Sequence, residues 1–186
     1  MTLKEQIENY VPYNEQEERD KEQFLKFIDD FDDVLTRNNV FGHFTASAFI
    51  VNKERTKTLV VYHIIKDGWL CPGGHADGEE DLLQVSLREV KEETGLDAKV
   101  LDENIFGIHS APIQGHIKHG KYVSAHLHLD AMYLMEADEK LPLVYREDES
   151  RGIKWIPMED ATSDMMCDFI RPIYKKMIKK LNERKY

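Results

Sequence analysis

Residues 73–96 read GGHADGEEDLLQVSLREVKEETGL. The stretch is a glycine-led loop feeding a short helix. Asp81, with Gln84 three residues on, has the spacing of an N-cap and its reciprocal partner. Gly95 stands where a glycine closes a helix at its C′ position. The spacing therefore predicts a helix over 81–94. At about 100° per residue, Leu83, Leu87, Val90 and Thr94 form one apolar stripe for a core. Glu89, Glu92 and Glu93 gather on the opposite side, at i, i+3 and i+4. Like charges so placed cost about 0.2–0.5 kcal/mol per pair. Arg88 can pair with Glu92, but one cation does not balance three carboxylates. A hard divalent cation, Mg²⁺ or Mn²⁺, would, because such ions take oxygen ligands. A solvated acidic face is the commoner explanation of a bare charge run.

The whole pattern is more specific than the charge run. Gly74 is followed at a fixed interval by Glu80, and then by Arg88-Glu89-Val90-Lys91-Glu92-Glu93-Thr94-Gly95-Leu96. This resembles the signature box of the Nudix hydrolases at each defined position. The lead-in Trp69-Leu70-Cys71-Pro72-Gly73-Gly74 is similar to the family's usual one. Asp77-Gly78-Glu79-Glu80 departs from the order many members carry, so the loop is expected to turn slightly differently.

The resemblance implies an α/β/α sandwich around a mixed β-sheet, with the box as loop, helix and loop. It implies hydrolysis by water of a nucleoside diphosphate linked to another moiety, with Mg²⁺ as cofactor and Mn²⁺ as the alternative. Glu92 and Glu93 match the family's metal-binding glutamates, and Glu89 a ligand or base on the same face. The Gly74 carbonyl matches a further oxygen ligand, and Arg88 the arginine that orients the glutamates. Glu80 divides between loop closure and outer-sphere contact with the metal. The general base comes either from the box helix or from a later loop. In that loop Glu147, Asp148 and Glu149 are the acids on offer, and solvated loop acids are the default for them.

Histidines concentrate later in the chain, at His109, His116, His119, His126 and His128. His126, His128 and Asp130 alternate, so they share one strand face. That face suits a second metal site or a phosphate contact; a polar, partly wet sheet face is the blander reading. His116, Lys118, His119 and Lys121 form a polar loop that can reach substrate phosphates. His116, Lys118, His126 and His128 are thus the candidate substrate-binding residues.

Elsewhere the pattern alternates strands with helices. Residues 1–40 are expected as an N-terminal helical extension, with Asn14 and Glu17 capping a helix whose apolar residues run from Phe24 to Leu35. That extension packs on the main domain or on a second subunit, which would make a homodimer. Residues 41–186 form the expected Nudix domain. Strands are expected at 44–51, 58–63, 98–101, 105–109, 122–135 and 153–157, with a polar loop over 115–121. An amphipathic helix is expected over 165–181, kinked or restarted at Pro172. Its Lys175, Lys176, Lys179 and Lys180 suit a helix C-terminus.

The chain has 186 residues and a formal charge of −10, from 25 basic and 35 acidic side chains. That balance argues against a protein that coats nucleic acid. It does not exclude a small phosphorylated ligand held by local cations. No apolar run is long enough for a signal peptide or a membrane span. Cys71 and Cys167 make no metal pattern and read as reduced thiols of a cytoplasmic protein. A small nucleotide is the expected partner. Pro112, sixteen residues after Leu96, resembles a feature of the family's ADP-ribose pyrophosphatase branch. The substrate expected from it is ADP-ribose or a nucleotide sugar, with nucleoside triphosphates next. A non-catalytic nucleotide sensor and a prenyl diphosphate isomerase are the other readings of the fold. The complete box speaks against both.

Overall fold

The computed structural model describes residues 1–118, 120–145 and 150–184. Two helices open the chain, α1 (Leu3–Asn9) and α2 (Glu15–Asp30), capped by Thr2 and Asn14. Strands β1 (Gly42–Val51), β2 (Lys57–His63), β3 (Gly68–Leu70) and β4 (Gly73–His75) follow, then α3 (Leu82–Thr94). The second half holds β5 (Lys99–Val100), β6 (Gly107–Ile113), β7 (His116–Lys118), β8 (Lys121–Val123), β9 (His126–Glu136) and β10 (Ser150–Pro157). It closes with α4 (Arg171–Glu183).

β1 and β9 are the spine of a mixed sheet. They pair in parallel from Gly42↔Leu127 to Val51↔Glu136. Their other partners are antiparallel: β2 and β4 on β1, β5 and β6 on β9, with β10 and β3 joined to β2. The period of two then decides what each face carries. Phe44, Ala46, Ala48 and Ile50 of β1, with Leu129, Ala131, Tyr133 and Met135 of β9, bury one face against α1, α2 and α3. Phe49, Val51, Met132 and Leu134 bury the other beneath Ile173, Tyr174 and Met177 of α4. That second face changes character along the strands. Towards the start of β1 and β9 it presents His43, Thr45 and Ser47 beside His126, His128 and Asp130. The site grows from this polar end.

Four expectations need correction. The apolar spacing runs on to Leu35, yet α2 stops at Asp30, because Asp33 Oδ1 accepts from the Leu35 and Thr36 N–H groups and turns the chain. Residues 115–121 are not a plain loop: β7 and β8 form a hairpin with Gly120 at φ 76°. The last helix does not begin at 165 but restarts at Arg171 with Pro172 in its first turn, where a missing N–H costs nothing. Lys176 and Lys180 are not dipole partners at a solvated end but buried ions, described below.

Candidate active site

α3 is placed by its ends. Asp81 accepts from the Leu83 and Gln84 N–H groups, and Gly95 takes the left-handed conformation at φ 74°. Its buried residues are Leu82, Val85, Ser86, Val90, Glu93 and Thr94, while Leu83 and Leu87 are only partly covered. The stripe is therefore rotated by about one residue from the expected one. The glutamates move with it. Glu93 is only 6% exposed, Glu89 is partly buried and Glu92 faces solvent. Burying a carboxylate is costly unless it is hydrogen-bonded. Glu93 Oε2 accepts from the Gly73 N–H at 2.8 Å. The Glu89 carboxylate lies against Gly74, where an added Cβ would fall 2.3 Å from its Oε2. Glycine is what lets that carboxylate reach the backbone.

Arg88 ties the pieces together. Its guanidinium donates to the His75 carbonyl at 2.8 Å and to Glu89 Oε1 at 3.0 Å, and lies 4.0 Å from Glu92 Oε1. The expected oxygen set of Gly74, Glu89, Glu92 and Glu93 thus lines one cavity of about 340 Å³. That size is ordinary for a small-ligand site. The donors fit Mg²⁺ or Mn²⁺: all are oxygens, and a side chain at Gly74 would fill the cradle in which the Glu89 carboxylate lies.

The same cavity is lined by Asp130, with Thr45 donating to Oδ1 at 2.8 Å and Ser47 to Oδ2 at 2.5 Å. Buried His109 lies 3.6 Å from the same carboxylate, yet burial outweighs Asp130 and lowers its pKa. Cys71, also in the wall, is buried, and its thiol is pushed well up, first by burial and then by Asp130. It is therefore a neutral wall residue at ordinary pH. Lys66, Lys118 and Arg37 bring positive charge to the cavity, and Leu70, Phe169 and Ile170 give it an apolar end. Lys66 stands 5.1 Å over the Phe169 ring, and burial lowers its pKa. Arg37 is committed to Asp77 through bonds of 3.0 and 2.9 Å.

Of the expected substrate-binding residues, Lys118 and His128 line the cavity, while His116 and His126 do not. His116 is occupied with the Gln114 carbonyl. Glu80 is exposed and off the cavity, its backbone carbonyl accepting from Gln6. Glu147, Asp148, Glu149 and His119 lie outside the described residues. Pro112 faces away: it pairs with Leu127, whereas its neighbours Ala111 and Ile113 line the cavity. Arg37, Lys66 and Phe169 had no sequence signal, since they come from loops distant in the chain. His75 stood in plain view beside Gly74.

Residues 42–181 match the NUDIX domain family. An RNA pyrophosphohydrolase of Sphingopyxis alaskensis is 26% identical over 118 residues, covering 60% of this chain and 74% of that protein. A probable DHNTP pyrophosphohydrolase of Lactococcus lactis is 30% identical over 100 residues, 52% of this chain and 55% of that protein. The crystal structure of a NUDIX-family hydrolase from Clostridium perfringens shares the fold. It has a TM-score of 0.52 and 24% identity, with 75% of this chain and 97% of that one covered. The chain belongs to the NUDIX family, as an enzyme of its hydrolase class with pyrophosphohydrolase relatives. Among the described residues no helix is long and apolar enough to cross a membrane.

Proposed function

We propose that this protein is a Mg²⁺-dependent hydrolase that cleaves the pyrophosphate bond of a nucleoside diphosphate joined to another moiety. One observation carries the reading: Glu93 accepts from the Gly73 N–H, Glu89 lies against Gly74, and both line a cavity that also holds lysines. Bound Mg²⁺ would neutralise phosphate oxygens and acidify water there. Gly74, Glu89, Glu92 and Glu93 would hold it. Arg88 holds Glu89 by a charge-assisted bond and stands 4.0 Å from Glu92. Lys66 and Lys118, which line the cavity, offset phosphate charge, and Phe169 with Leu70 gives the nucleoside an apolar surface. Residues 1–40 act as a helical extension, and 41–186 carry the chemistry in the cytoplasm.

ADP-ribose or a nucleotide sugar is the first substrate class, although Pro112 contributes nothing at the cavity. A second reading is release of pyrophosphate from a nucleoside triphosphate; the two relatives are named as pyrophosphohydrolases, of RNA and of DHNTP. A panel of both classes, assayed for AMP, phosphate and pyrophosphate with Mg²⁺, decides between them. EDTA is expected to stop turnover and excess Mg²⁺ to restore it. Glu93→Gln should lower kcat by at least about 100-fold, some 2.7 kcal/mol. Its fold should survive, since a glutamine oxygen can still accept from Gly73. Turnover that persists after complete chelation, or tight nucleotide binding with no turnover, would defeat the assignment.

A further inference from the structure

Three strands lay imidazoles on one patch of the sheet beside the carboxylates. His43 of β1 is the register partner of His128 on β9, and His75 of β4 pairs one step along, opposite Thr45. The ring centroids stand 5.0 Å apart for His43–His75, 5.0 Å for His43–His128 and 4.8 Å for His75–His128. Each ring offers a nitrogen within 4.8 Å of the nitrogens of the other two. His126, two residues before His128 on the same face, brings its Nε2 to 3.2 Å from that of His128.

This arrangement is expensive if it is only packing. His43 is buried, and neither of its ring nitrogens has a hydrogen-bond partner of ordinary geometry, although the Asn39 backbone lies near enough to act on it. A buried polar group left so asks for an explanation. The Nudix carboxylates do not provide it, since His43 does not line their cavity.

We propose that His43, His75 and His128 form a second metal site, built of nitrogen ligands, for a borderline transition-metal ion with Zn²⁺ foremost. His126, which touches His128 but lies outside that mutual set, is the nearest candidate for a fourth ligand. Imidazole suits such ions, whereas Mg²⁺ takes oxygen. The oxygen donors of the first site come from α3 and Gly74, and the imidazoles of the second from β1, β4 and β9. On a tetrahedral ion with Zn–N bonds of about 2.0–2.1 Å, ligand nitrogens sit about 3.3 Å apart. The His126–His128 separation already has that value. The three separations among His43, His75 and His128 need to close by at most about 1.5 Å. Arg37 and Lys118 lie near His75 and oppose a cation, but Arg37 is already paired with Asp77. His75 and His128 also line the hydrolase cavity, so the two sites share a wall.

The site is tested on tag-free, chelator-treated protein titrated with Co²⁺ in excess Mg²⁺, which occupies the oxygen site and leaves imidazole alone. Visible absorption reads four-coordinate cobalt directly, with no need of turnover. The expected result is one equivalent bound, displaced by Zn²⁺. His43→Ala and, separately, His75→Gln should weaken binding at least tenfold, while Glu93→Gln leaves it intact. Thermal unfolding of each variant confirms folding, and should His43→Ala unfold, His75→Gln decides alone. Absence of the band, or a band indifferent to a folded histidine variant, overturns the proposal. So does a band lost in Glu93→Gln, which would place the cobalt on the carboxylates.

Discussion

A methyl group on Gly74 would fall 2.3 Å from both Cδ and Oε2 of Glu89. Gly74 does not need a left-handed backbone, so alanine strains nothing locally; it simply occupies the carboxylate's place. Gly74→Ala should therefore leave the melting temperature nearly unchanged while moving Glu89. Misplacement of a reacting group by about 1 Å can cost on the order of 100-fold in rate. Steady-state kinetics against Mg²⁺ concentration will show lowered kcat with a raised metal requirement; wild-type kinetics would contradict the role given to the cradle. The clustering of Glu89, Glu92 and Glu93 was legible in the sequence, because helix periodicity fixes the angles between side chains. Their depth was not. Periodicity does not say which side the sheet lies on, and Glu93 is buried because the Gly73 N–H, from another element, receives it.

At the scale of elements, the least expected arrangement is how the edge of β6 is closed. β6 bonds to β9 on one side, and its outer carbonyls need other donors. Lys176 reaches the Ile108 carbonyl at 3.0 Å, Gln16 reaches it at 3.1 Å, and Lys180 reaches the Phe106 carbonyl. Two buried ammonium groups need a counter-charge. Glu17 of α2, fully buried, supplies it at 2.7 Å from Lys176 and 3.9 Å from Lys180, and it also accepts from the Tyr10 hydroxyl. Burial pushes the Glu17 carboxyl up, but Lys176, Tyr10 and Lys180 together hold it below its ordinary 4.5. A carboxylate so depressed stabilises the fold above the unfolded value and loses that contribution as pH falls through the folded one. Urea unfolding should thus show stability dropping below pH about 4.5. Glu17→Gln, which strands two buried cations, should cost about 3–5 kcal/mol at pH 7 and flatten that acid limb. An unchanged midpoint would show that the lysines find other partners. Spacing alone marked Asn14 as a cap three residues before Glu17 and the lysines as a basic helix end. It could not show that α2 and α4 meet over β6, because that contact joins residues from opposite ends of the chain. The histidine patch was half visible for the same reason: alternation within β9 paired His126 with His128, but His43 and His75 arrive through strand register.

Across the whole molecule, the family match begins at residue 42, yet the packing does not respect that boundary. Leu3, Ile7, Tyr10 and Phe24 belong to the same buried cluster as Phe44, Leu82, Val85 and Val90. Phe24 meets Phe44 edge-on at 5.3 Å. Two treatments of the first 40 residues thus predict different behaviour on deletion. A detachable extension would leave a cooperative, active hydrolase. A shared core would not. Ile7 and Phe24 are fully buried and Leu3 and Tyr10 nearly so. At about 1.5–3 kcal/mol for each large apolar side chain, their loss rivals the 5–15 kcal/mol typical of a whole domain. Deletion also removes Glu17 from the two lysines beneath it. Removing residues 1–30 should therefore yield protein without a cooperative thermal transition, prone to aggregate through the exposed Phe44 face of the sheet. Circular dichroism melts and size-exclusion chromatography of the shortened chain will decide. A sharp transition with wild-type turnover would mean that α3 and the sheet close their own core, and that the N-terminal helices serve some purpose other than stability.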